Sequence, residues 1–164
     1  MAPDALTIDI KTGFTARQRG DVAAALTRVL ADTYALYLKT HGYHWNVRGP
    51  NFSSLHALFM EQYTEMWQAL DEIAERIRAL GEFAPQGYAA FANLTSIRDG
   101  DPETPAEKMV EELMRDHEAV VATLRGALTA AAGAGDEVTT GVLTDRLTIH
   151  EKTAWMLRAT LGGR

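Results

Sequence analysis

The chain has 164 residues, 46% hydrophobic and 23% charged, with a formal net charge of −6 and no cysteine. That length suits one folded domain rather than two, and the composition is not that of a disordered chain. Without cysteine there is no disulfide, thiol nucleophile or thiolate metal site, so a metal centre must use histidine, carboxylate or carbonyl ligands.

A net negative chain repels nucleic acid and attracts cations. No apolar run approaches the roughly 18 residues that a membrane span needs. The first residues, Met1 to Gly13, lack a basic segment followed by an apolar one, so no export signal is read and a cytoplasmic protein is expected.

Helix formers dominate, and no strand-like alternation persists. The first helix opens at Thr15, where Gln18 completes a capping box. It is expected to run to about Thr40 or Gly42, with Val22, Leu26, Val29, Leu30, Tyr34, Tyr37 and Leu38 as its apolar face. Val47 to Asn51 is turn chemistry around Gly49 and Pro50. A second helix covers Ser53 to Leu80 and stops at Gly81. Residues 82–103 form an irregular connector with Pro85, Gly87, Gly100 and Pro102, inside which Tyr88 to Leu94 forms a short helix. The third long helix opens with Thr104 as N-cap, Pro105 at its first position and Glu107 at its third, and ends near Gly133 or Gly135. The fourth runs from Asp136 to Leu161.

The expected fold is all-α: a four-helix bundle with a long crossover carrying a short helix. Residues 15–161 form the bundle, 1–14 an N-terminal extension and 162–164 a short C-terminal tail.

The second helix carries the chemistry. Its core face reads Leu55, Phe59, Tyr63, Met66, Leu70, Ile73, Ile77 and Leu80. With His56 at zero on a helical wheel, Trp67 falls near ~20°, Met60 near ~40°, Asp71 near ~60° and Glu75 near ~100°. A histidine and two carboxylates thus share one stripe beside the core face. His56 and Asp71 are nonetheless about 22 Å apart along the axis, too far to share an ion with ligands at roughly 2 Å. Asp71 and Glu75, one turn apart, can share one. A second copy of this helix, antiparallel across a two-fold axis, brings His56 of one subunit against Asp71 and Glu75 of the other and repeats the pairing. His44, at the end of the first helix, folds back over the Gly-Pro turn toward the same partner, with His41 one turn earlier.

Each part has a plainer reading in isolation. Asp71 and Glu75 suit a solvated face offset by Arg76 and Arg78. His44 suits a helix C-terminus, and His56 suits a core edge bonded to a carbonyl. Trp45, Trp67 and Trp155 suit packing more than radical trapping.

The conjunction is more specific. The segment His44-Trp-Asn-Val-Arg-Gly-Pro-Asn-Phe-Ser-Ser-Leu-His56 resembles the first signature of the Dps family, and Asp71-Glu-Ile-Ala-Glu75-Arg-Ile-Arg-Ala-Leu-Gly81 resembles the second. The resemblance implies a ferritin-like bundle assembled as a dodecameric hollow shell. It makes His44 and His56 ligands from one subunit, and Asp71 and Glu75 ligands from its two-fold mate. It further implies a ferroxidase: ferrous iron as substrate, hydrogen peroxide preferred over dioxygen as oxidant, and a ferric mineral stored in the cavity as product. Ordinary ferritins use Glu-x-x-His within one bundle, a pattern missing from this sequence.

One position departs from the family pattern. Four residues after the second histidine the family expects Asp or Glu, and this chain has Met60. A thioether is a soft, weak ligand for iron, and Glu61 points ~100° further round the helix. The expectation is one iron held well, and a second held transiently or through water and His41.

DNA binding is expected to be weak or absent at physiological salt. Lys11, Arg17 and Arg19 stand against Asp4 and Asp9, and the C-terminal end offers Arg158 and Arg164 without a polybasic arm. The competing reading is a nucleoid-associated, DNA-protecting protein with a weakened iron site. Asp136, Glu137 and Asp145 either line an acidic three-fold channel or simply favour the dipole of the fourth helix.

Overall fold

The structure, a computed structural model, describes residues 9–163. Those residues form five helices and no strand: α1 (Ala16–Asn46), α2 (Phe52–Ala79), α3 (Tyr88–Leu94), α4 (Ala106–Ala134) and α5 (Glu137–Thr160). The arrangement is the expected all-α, ferritin-like bundle, with the short α3 on the crossover between α2 and α4.

The capping box forms as the sequence requires. Thr15 Oγ1 accepts from the main-chain N–H of Gln18 at 3.2 Å, and Gln18 Oε1 accepts from that of Thr15 at 2.9 Å. Helix α1 then runs past its expected end at Gly42. A helical glycine costs only about 1 kcal/mol, and Tyr43, 2% exposed, anchors the added turn by donating to Glu112 at 2.5 Å. The turn closes where Val47 N donates to Tyr43 O at 2.9 Å. His44 therefore stands on a rigid helix rather than on a loop.

Helix α2 stops where expected. Gly81 takes φ +96° and lies against Ile10, whose side chain would sit 2.2 Å from any added Cβ. At α4 the cap shifts by one residue. Pro105, with ψ 147°, is not yet helical and itself occupies the N-cap in place of Thr104. Asp136 caps α5, accepting from Thr139 N at 2.9 Å.

Helix α1 packs on α2 and α4, and α4 packs on α5. Leu26, Val29, Phe59, Met66, Ile73, Met109, Leu113, Leu124, Leu143 and Leu157 fill the space between them, each no more than 1% exposed. Each such burial contributes about 1.5–3 kcal/mol. Leu38, assigned to the core from the sequence, is instead 44% exposed and points out of the protomer.

Asp32 secures the crossover. Its buried carboxylate accepts from Thr95 Oγ1 at 2.8 Å, from Ser96 N at 2.6 Å and from Thr123 Oγ1 at 2.7 Å. One side chain of α1 thereby fixes the end of the α3 segment and α4 together. Tyr34 stacks on Phe91 at 4.4 Å and holds α3 against α1.

Candidate metal centre

Where α1 and α2 meet at the Gly-Pro turn, two imidazoles lock onto each other's backbone. His44 Nδ1 lies 2.7 Å from the carbonyl of His56, and His56 Nδ1 lies 2.8 Å from the carbonyl of His44. The rings stack 3.7 Å apart at 20°. A carbonyl only accepts, so both Nδ1 atoms donate, and in the neutral ring each Nε2 keeps its lone pair. A hydrogen bond of this kind on the far ring nitrogen is what orients a histidine in metal sites generally.

The carboxylates lie elsewhere in the protomer. Asp71 and Glu75 are exposed along α2, and neither enters an ion pair among the described residues. The arginines expected to offset them are engaged elsewhere. Arg76 binds both oxygens of Asp136 at 2.9 Å and Thr139 at 2.8 Å. Arg78 donates to the carbonyl of Glu82 and lies 4.3 Å over the ring of Phe83. Among the described residues of one protomer, no three histidine or acidic side chains gather closely enough to hold an ion. The structure thus joins His44 to His56 and leaves Asp71 and Glu75 apart from them.

The same contacts correct the reading of Asp136 as a channel residue. It is 1% exposed and ties the start of α5 to Arg76 on α2. Burial alone would raise its carboxyl, but the Thr139 donors and the Arg76 charge outweigh that and hold it below 3.8. Glu137 and Asp145 remain exposed.

Around the histidines lies an aromatic surface. His41 stacks on Tyr63 at 4.0 Å and approaches Trp45 at 4.3 Å, while Tyr37 lies 5.5 Å from Trp67. Partial burial, then the neighbouring His44, lowers the pKa of His41. Trp45 is 67% exposed, Trp67 59% and Trp155 56%, so packing within the protomer explains none of them. Phe52 lies 5.0 Å from His56 and Trp45 4.3 Å from His41, and with Trp67, Met60 and Leu38 they leave exposed apolar surface on α1 and α2, a pattern typical of surfaces that another chain covers.

A family model for the ferritin-like domain matches residues 23–163. DNA protection during starvation protein 2 of Bacillus anthracis is 39% identical over 140 residues, which cover 85% of this chain and 96% of that protein. The chain belongs to the Dps family of ferritin-like proteins. The crystal structure of a Dps protein from Bacillus brevis superposes with a TM-score of 0.86 at 36% identity, covering 88% of this chain and 97% of that one. The Dps protein from Vibrio cholerae O1, described as a member of a broad superfamily of ferritin-like diiron-carboxylate proteins, superposes at 0.89 with 29% identity, covering 96% and 99%. In this Dps-family chain, no described helix is long and apolar enough to cross a membrane.

Sequence reasoning passed over one polar group altogether. His117, His150 and Arg146 meet inside the bundle, where Arg146 pairs with the half-buried Glu65. The signal was present: His117 falls between Leu113 and Val120 on the buried stripe of α4.

Proposed function

We propose that the protein is a cytoplasmic ferroxidase and iron-storage mini-ferritin that oxidises ferrous iron with hydrogen peroxide at sites shared between subunits of a dodecameric cage. Its cellular effect is protection against oxidative stress. One observation carries the reading: the histidine pair presents two oriented Nε2 lone pairs, while the acids on the same stripe of α2 are unpaired and out of reach of it among the described residues of the protomer.

In this reading His44 and His56 bind ferrous iron with Asp71 and Glu75 of the partner subunit. The exposed apolar rim becomes the two-fold interface that excludes water around them. The carboxylates favour the ferric product, and an open ligand position admits the oxidant. Two ferrous ions give one electron each to hydrogen peroxide, whose O–O bond breaks; two protons complete two waters, and ferric iron passes to the mineral. Transfer of an electron pair limits hydroxyl radical release. Met60 leaves the second iron position short of a carboxylate. Trp45 and Trp67 stand where stray oxidising equivalents would meet them.

DNA binding is weak or absent in this reading, because three of the candidate cations are engaged with the chain itself and Lys11 alone, exposed near Asp9, makes no polybasic arm. Arg17 pairs with Asp21 at 3.8 Å, Arg19 donates to the carbonyl of Phe14 at 2.8 Å, and Arg158 pairs with Glu118. Asp4 and Arg164, part of the same expectation, lie outside the described residues.

Anaerobic loading with ferrous iron followed by peroxide tests the proposal. Ferric absorbance is expected in a fast, saturable phase that His44→Ala or Asp71→Ala abolishes. Oxidation no faster than in a protein-free control defeats it.

A further inference from the structure

The interior of the bundle holds a polar chain that the iron site does not use. His117 on α4 is 2% exposed and His150 on α5 is fully buried, with their Nδ1 atoms 2.8 Å apart. Arg146, one turn before His150, reaches His150 Nε2 at 3.0 Å and forms a bidentate ion pair with Glu65 of α2. Burial, then the charge of Arg146, pushes His117 down to about 3. Burial, then His117 and Arg146, pushes His150 well below its usual value. Both rings are therefore neutral.

Hydrogen-bond chemistry then places each proton. A guanidinium only donates, so His150 Nε2 accepts and the single proton of that ring sits on Nδ1. It is donated to His117 Nδ1, which leaves His117 with its proton on Nε2. That N–H has no partner among the described residues, and neither does the amide oxygen or nitrogen of Gln62 on α2, which is 7% exposed. His117 and Gln62 line one cavity of about 290 Å³ between α2, α4 and α5, together with Glu61, Glu65 and Lys152.

We propose that this cavity is a second binding site, separate from His44 and His56, for a small uncharged oxygen molecule, water or hydrogen peroxide, held between the Nε2–H of His117 and the amide of Gln62. A cation does not fit, because the nitrogen of His117 left without a partner is protonated. Shifting that proton would set an N–H of His150 against the N–H groups of Arg146. An anion finds no net positive charge either: Glu65 already neutralises Arg146, and Glu61 offsets Lys152 at the lining. One water occupies roughly 30 Å³, so there is room for a molecule with two oxygens. Peroxide as the second occupant rests on the oxidant proposed above; the site itself does not.

Crystals of the metal-free, full-length protein test the site without any iron chemistry. Oxygen density is expected at about 3 Å from both His117 Nε2 and the Gln62 amide. After a peroxide soak it is expected to lengthen to two atoms. Density that stays one atom wide at saturating peroxide supports the site with water as its occupant. A dry cavity with Gln62 turned directly onto His117 overturns the proposal, as does cobalt coordinated to His117 Nε2 after a soak with that metal. Solid-state ¹⁵N NMR of histidine-labelled protein is expected to show the proton of His117 on Nε2 and that of His150 on Nδ1. The reverse assignment also overturns it. Gln62→Leu is expected to remove the density and shift the His117 Nε2 resonance, leaving the protonation of His150 unchanged. Loss of ferroxidase activity bears on none of these readouts, so failure of the iron reading and failure of this site are distinguishable.

Discussion

The imidazoles of His44 and His56 lie face to face 3.7 Å apart, and each gives its Nδ1 proton to the main-chain carbonyl of the other. Each orienting carbonyl is main chain and survives an alanine substitution, so losing either ring removes one proposed ligand and the face on which the other ring stacks. We expect His44→Ala and His56→Ala each to abolish the fast phase, a loss beyond the roughly 100-fold that an outer hydrogen-bond partner carries. Stopped-flow ferric absorbance after a peroxide pulse measures this.

If the site is shared, inactive variants should rescue each other. In a mixed two-fold dimer of His44→Ala and Asp71→Ala chains, one of the two sites has every ligand intact. Random co-assembly should restore about a quarter of the sites. Recovery of no activity on unfolding and reassembling the mixture would contradict a shared site, provided that cages form.

Met60 is 45% exposed on the same stripe of α2 as His56. Met60→Glu restores a hard oxygen ligand at the position where the chain carries a thioether. Anaerobic iron titration should change from one tight iron per site to two, with no loss of thermal stability. Two tight irons per site in the unaltered protein would show that Met60 imposes no deficit.

Asp136→Ala removes the α5 cap and leaves Arg76 without its buried partner. The expected loss is about 2–4 kcal/mol, measured by chemical denaturation. The pH dependence has a definite sign. The folded Asp136 carboxyl titrates below 3.8, so its contribution is complete above that value and is lost as pH falls through the lower, folded one. The variant should therefore differ least from the parent in strong acid.

His117 and His150 act in the same direction over a higher range. Their folded pKa values are depressed, His117 to about 3, from a usual 6.5. The unfolded chain thus takes up more protons between those limits, and stability complete above pH 6.5 is lost as pH falls toward 3. The slope should approach roughly 1 kcal/mol per pH unit for each histidine. Denaturation midpoints between pH 7 and 4 should fall less steeply in His117→Phe than in the parent.

Much of this was readable from local chemistry. The Thr15 and Gln18 box, the Gly81 stop and the Tyr88–Leu94 helix each depend on residues close in sequence, and each stands where those residues put it. The errors arose where distant packing outweighed local preference. Gly42 suggests an end to α1, but Tyr43 gains a deep contact with α4 and carries the helix on. Arg76 looks like the counter-charge of Glu75 until α5 brings Asp136 to it. For the candidate site, spacing showed that His56 and Asp71 cannot meet in one chain. The reciprocal clamp was not legible, because the carbonyl that each ring meets belongs to the other helix.

The continuity of α1 has a mechanical consequence. His44 stands on the final turn of a 31-residue helix whose other end is capped at Thr15 and whose middle is moored at Asp32. Such a rod transmits a disturbance and does not absorb it. A fault at Asp32, far from any iron ligand, should register as altered metal affinity and not merely as a loosened crossover. By the same logic the histidine pair cannot drift to suit a different ion. Retuning must come from exchanging side chains around a fixed frame, and Met60 occupies the position where a single exchange changes the ligand set without moving that frame.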